Sequence, residues 1–75
     1  MEELLELLEK FKPGVDFRNN QHLIDEEELD SFDIVSLVST LNQEYDIQIT
    51  AADVVPENFN SAEAIYALVQ RLEEE

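Results

Sequence analysis

Leu29-Asp30-Ser31-Phe32-Asp33-Ile34-Val35-Ser36-Leu37-Val38-Ser39-Thr40-Leu41-Asn42-Gln43-Glu44-Tyr45 is the stretch on which the fold turns. Asp30 is a good N-cap, and Asp33, three residues on, puts negative charge at the positive end of a helix dipole, so a helix is expected to begin at Ser31 and run to Tyr45. Phe32, Val35, Val38, Leu41 and Tyr45 offer an apolar face, with Ile34 and Leu37 beside it. On this reading Phe32 and Val35 face the core, and Ser31 stands at the lip of the bundle, where an attached group can swing outward or fold between helices.

Toward the amino terminus, Leu4, Leu5, Leu8 and Phe11 recur on one helix face, and Pro13-Gly14 closes that segment, which predicts a helix over residues 2–12. Toward the carboxyl terminus, Thr50 with Asp53 has the spacing of a capping pair for a short helix over 51–55, ended by Pro56. Asn60 and Glu63 repeat that spacing before Ile65, Leu68, Val69 and Leu72, the stripe of a last helix over 61–73. The glutamates at 73–75 set negative charge at its C-terminal end, where fraying is expected. Asp46-Ile47-Gln48-Ile49-Thr50 alternates like a strand but has no partner to bond, so it reads as an extended connector. The connection 13–30 is longer than most helix-to-helix loops and is expected to be functional or internally packed, pinned by Val15, Phe17, Leu23, Ile24 and Leu29. The expected fold is all-α: one domain over residues 1–75, an irregular four-helix bundle of three longer helices and a short one.

Nineteen acidic residues stand against Lys10, Lys12, Arg18 and Arg71, a net charge of −15, and no Lys or Arg lies between Arg18 and Arg71. Such a surface repels nucleic-acid phosphates and anionic lipid and steers basic protein patches toward itself. The same acidity would also serve plain solubility. Disorder is disfavoured by 44% hydrophobic residues at regular spacing. A chain of 75 residues has a thin core, so a deep catalytic cavity is not expected. With no Cys, disulfides, thiolate metal clusters and a Cys nucleophile are excluded. No apolar run is long enough to span a bilayer, and acids occupy the N-terminal positions where a signal peptide carries Lys or Arg. A soluble, cytoplasmic monomer that binds no nucleic acid and inserts into no membrane is therefore expected.

Ser31 is the residue with chemistry to offer. First-turn N–H groups have no intrahelical acceptor and the macrodipole concentrates partial positive charge there, so a phosphodiester on Ser31 would be stabilised by the helix end. On the local pattern alone, the bland reading of a first-turn serine after a capping Asp is the favoured one.

Taken together, Leu29 to Val38, Leu41, and Glu44-Tyr45-Asp46-Ile47-Gln48-Ile49 resemble the core of acyl carrier proteins. In that family Asp-Ser-Leu or Asp-Ser-Met opens the second helix, a Glu-aromatic-Asp segment closes it, and a short third helix and a last helix follow; the resemblance covers nearly the whole chain. It implies that Ser31 receives 4′-phosphopantetheine from coenzyme A through a Mg-dependent phosphopantetheinyl transferase. Cargo would ride as a thioester, and the chain would be no enzyme, having no catalytic residues of its own. It further implies a docking surface made of Asp30, Phe32, Asp33, Ile34 and Val54, and no metal site.

Within the family, fatty-acid carriers bear a Glu-rich second helix, whereas Ser36, Ser39, Thr40, Asn42 and Gln43 occupy the comparable positions here. Phe59-Asn60-Ser61-Ala62 is similar to the aromatic-Asn-Thr-Ala entry of D-alanyl carrier proteins. That favours an aminoacyl carrier, loaded by an adenylating ligase and emptied by a downstream acyltransferase, with a fatty-acid or polyketide carrier as the alternative. Phe32 departs from the Leu or Met that usually follows the serine.

The same residues suggest other classes. His22, Ser31 and an Asp could compose a hydrolase triad, but Gly14 is the only glycine and no glycine-rich turn offers an oxyanion hole. His22 reads instead as a surface loop residue. Asp25-Glu26-Glu27-Glu28 suggests divalent cations, yet an EF-hand counted from Asp25 puts Asp30 where Gly is needed and Ser36 where Glu is needed. A helical interaction module without a covalent arm also remains open.

Overall fold

The computed structural model describes residues 1–74. Its elements are α1 (Glu2–Phe11), α2 (Ser31–Tyr45), a 3-10 turn (Ala51–Asp53), α3 (Pro56–Phe59) and α4 (Ala62–Glu73), with no strand among the described residues. α4 packs against α1, α2 and α3 and is the hub of the bundle. It contributes Ala62, Ile65, Leu68 and Val69 to the core, meeting Leu4, Leu5 and Leu8 of α1 and Leu37 and Leu41 of α2.

The face of α2 differs from the one expected. Leu37 and Leu41 are fully buried, and Ile34, Val38 and Tyr45 pack at the edge of the core, but Phe32 is 84% and Val35 69% exposed. The reason lies in the helical period. At about 100° per residue, Ile34, Leu37, Val38, Leu41 and Tyr45 fall within an arc of about 100°, whereas Phe32, Val35, Val38, Leu41 and Tyr45 spread over about 180°. Only the narrower stripe can face one core, and Phe32 and Val35 are left outside it.

The capping of α2 is as expected. The Asp30 carboxylate accepts from the Asp33 N–H at 2.9 Å, and the Asp33 carboxylate accepts from the Asp30 N–H at 3.2 Å, a reciprocal box that fixes the helix start at Ser31. At the other end Asp46 turns left-handed, φ 52°. The Asn42 carbonyl then takes the Ile47 N–H and its side-chain oxygen the Ile49 N–H, so the connector hangs from α2. This explains why the alternating residues 46–50 form no strand. Asn42 and Thr40, expected on the exposed surface of α2, are half-buried, and Asn42 serves this internal bond.

Between α2 and α4 the chain also departs from expectation. The Asp53 carboxylate does accept from the Thr50 N–H and hydroxyl, at 3.2 and 3.0 Å. However, the short helix expected over 51–55 is a single 3-10 turn, and Pro56 opens a separate helix rather than ending one. Proline suits the first helical position because the N–H it lacks would have no acceptor there. The cap of α4 is Ser61, whose hydroxyl accepts from the Ala64 N–H at 3.1 Å, not Asn60. Asn60 is engaged elsewhere. Glu75, the last residue of the expected acidic tail, lies outside the described residues.

The long connection is packed, as expected. Phe17, Leu23 and Leu29 are buried, while Val15 and Ile24 lean against the core. Arg18 ties this segment back to α1 through Glu2 and Glu9. His22 is exposed, near Asp25.

Candidate functional site

Ser31 is exposed at the first residue of α2, with a hollow on either side of it. One is an apolar groove of about 320 Å³ that Ser31 shares with Ile34 and Val35 of α2, Ile24 of the long connection, and Val54, Val55, Pro56 and Phe59 beyond it. The other, more polar, is bordered by Glu27, Leu29 and Asp30 as well as Ile24, Ser31 and Ile34. A group joined to the Ser31 hydroxyl therefore has two routes away from the bundle, and neither requires the core to open.

Three anchors hold the helix start in place. The Asp30–Asp33 box sets the first turn. Lys12, just past α1, donates from Nζ to the Asp33 carboxylate and, at 2.7 Å, to the Glu28 carbonyl, fastening the end of the long connection to the same turn. From the opposite side, Asn60 accepts at its side-chain oxygen from the N–H groups of Ile24 and Asp25, at 2.9 and 3.3 Å. The Lys12 ammonium, followed by the Asp30 N–H, holds the Asp33 carboxyl below the usual carboxylate range, and the Asp33 carboxylate in turn raises the Lys12 ammonium. Asp33 is thus a partnered anion whose charge is offset beside the helix's positive end.

Of the residues expected to form a docking surface, Ile34 and Val54 line the apolar groove with Ser31, and Asp30 borders the polar hollow. Phe32 lies beyond the groove lining, almost wholly in solvent. Asp33 turns back into the fold. Sequence reasoning missed Val55, Pro56, Phe59 and Ile24 as groove walls. The Val54-Val55-Pro56 run was a usable signal, since two β-branched apolar residues ahead of a proline have little reason to lie in an exposed turn. Lys12 gave no local signal, and Asn60 signalled only a helix cap.

The family description "phosphopantetheine attachment site" matches residues 2–74. The chain belongs to this family. It is an acyl-carrier-type protein whose prosthetic group is 4′-phosphopantetheine. No curated protein matches it. Carriers of this family are generally not catalysts; they receive the arm from a phosphopantetheinyl transferase and present it to partner enzymes. The arm supplies a thiol that holds an acyl group as an activated thioester. The residues of this carrier fit such a group: an exposed first-turn hydroxyl, helix-start N–H groups without intrahelical acceptors, and an open apolar groove beside them.

Proposed function

We propose that Ser31 is the residue that takes the 4′-phosphopantetheine arm and that the carrier bears an aminoacyl cargo, D-alanine or another amino acid, loaded by an adenylating ligase. The observation that carries the first half is the position of Ser31: exposed, at the positive end of α2, between two hollows. Transfer from coenzyme A joins the Ser31 oxygen to the phosphorus of the arm, releases 3′,5′-adenosine bisphosphate and passes the hydroxyl proton to the transferase. Tethering then raises the effective concentration of the thiol at each partner's active site, so the carrier needs no catalytic group.

The surface around Ser31 supports the second half. Phe32, Val35, Val54 and Val55 form an exposed apolar rim, while Ser36, Ser39 and Gln43 leave the outer face of α2 polar and uncharged. A partner meeting this face must offer apolar contact near Ser31 rather than a row of cations along α2. The resemblance of residues 59–62 to D-alanyl carriers points the same way. Asp30, Phe32, Ile34 and Val54 are the residues we assign to docking, with Asp33 contributing indirectly by fixing the turn.

Two steps test this. Purified wild type and Ser31→Ala are incubated with coenzyme A and a permissive transferase, and their intact masses compared; wild type alone gains one arm. The loaded chain is then offered to an adenylating ligase with ATP and single amino acids. An aminoacyl thioester on the arm supports the reading, and loading by fatty acyl or malonyl donors alone overturns it in favour of the fatty-acid or polyketide type.

A further inference from the structure

Asn60 stands between α3 and α4, at the centre of a set of hydrogen bonds that the expected capping role does not explain. Its backbone carbonyl accepts from the Leu23 N–H at 2.9 Å, and its side-chain oxygen accepts from the next two, Ile24 and Asp25. Three consecutive N–H groups of the long connection therefore end on one residue. The turn they begin closes on itself, because the Leu23 carbonyl takes the N–H groups of Glu28 and Leu29, and Leu29 leads directly into Asp30 and Ser31. Ile24, whose own N–H is held by Asn60, is the one residue of this connection that borders both hollows flanking Ser31 along its length. Pro56 and Phe59 of α3, the helix Asn60 follows, line the same apolar groove as Ile24. One side chain thus joins two separate stretches of the groove's lining.

We propose that Asn60 is a positioning residue for the attachment site: it fixes Ile24 as the wall beside Ser31 and so sets how readily a phosphopantetheinyl transferase engages the carrier. The inference rests on Ser31 being the attachment point. Without the side-chain oxygen, the turn at 23–25 loses two bonds, the connection samples open arrangements, and the fraction of carrier ready for docking falls. Affinity for the transferase falls in proportion to that fraction, whereas chemistry at Ser31, once docked, is unchanged.

The test compares full-length Asn60→Ala, Asn60→Asp and Ser61→Ala chains. Asn60→Ala is expected to raise the transferase KM for the carrier roughly tenfold at unchanged kcat, the worth of one or two net hydrogen bonds, and to speed amide exchange at Ile24 and Asp25. Asn60→Asp keeps an oxygen acceptor and restores both values. Ser61→Ala removes the cap of α4 one residue away; it lowers thermal stability but leaves KM as in wild type. Ile24→Ala, which thins the wall and spares the bonds, raises KM and serves if Asn60→Ala does not fold. An unchanged KM or unchanged exchange in Asn60→Ala overturns the inference, as does a KM for Ser61→Ala raised to the same extent. A wild type that accepts no arm, or a Ser31→Ala chain that does, overturns the attachment assignment itself; a normally loaded wild type with an insensitive Asn60→Ala overturns only the role of Asn60.

Discussion

At Asp33 a single carboxylate receives the Asp30 N–H and the Lys12 ammonium, and its pKa is held down by both, the ammonium most. A carboxyl depressed in the folded state adds stability that is present above its unfolded value, about 4, and is lost as pH falls through the lower folded value. The stability difference between wild type and Asp33→Asn, measured by urea unfolding, should therefore be steady from pH 7 to about 4 and shrink below that. A difference independent of pH throughout contradicts this account of the turn. Asp30 separates capping from charge. Asp30→Ala should cost about 1 kcal/mol, whereas Asp30→Asn keeps the cap and the stability but should slow arm transfer by removing charge from the docking rim. Equal transfer rates for Asp30→Asn and wild type would leave the electrostatic half without support.

Along α2, two apolar sets with different duties share one helix. Leu41 is fully buried, so Leu41→Ala should destabilise by about 2–5 kcal/mol. Phe32 is in solvent, so Phe32→Ser should change stability by no more than about 0.5 kcal/mol while weakening productive docking of a partner enzyme. Chemical unfolding paired with a loading assay checks both; a Phe32→Ser chain that unfolds as easily as Leu41→Ala would mean that the face assignment is wrong. The bounds of α2 were legible because Asp30 and Asp33 declare a helix start within four residues. Its faces were less so, since a row spaced by threes drifts around the helix while still looking periodic. Pro56 is ambiguous by nature: the property that ends a helix also suits the start of one. The roles of Lys12 and Asn60 could not be read at all, because Lys12 meets Asp33 across 21 residues and Asn60 meets Ile24 across 36. Ser31 stood out as the candidate from its cap and the family pattern, but the groove beside it joins three separate stretches of chain and emerges only on folding.

Over the whole molecule, Lys12, Arg18 and Arg71 are each engaged by carboxylates of the chain itself, through Asp33, through Glu2 and Glu9, and through Asp53. These three cations are thus turned toward the chain's own acids, within a net charge of −15. Two opposite responses to salt follow. Added salt screens self-repulsion and should raise the melting temperature without a saturable stoichiometry; the same screening, with a Debye length of about 8 Å at physiological ionic strength, should slow arm transfer by a basic transferase. Calorimetry and initial rates across one salt series report both, and a transfer rate indifferent to salt would remove electrostatic steering from the account. Among the described residues no helix is long and apolar enough to cross a membrane. The central claim concerns one oxygen on the carrier's surface. Proteolysis of the transferase-treated chain followed by peptide fragmentation locates the arm among the serines at 31, 36, 39 and 61. The account predicts that it is found on Ser31 alone; an arm on any other residue, or a chain that remains unmodified, would contradict it.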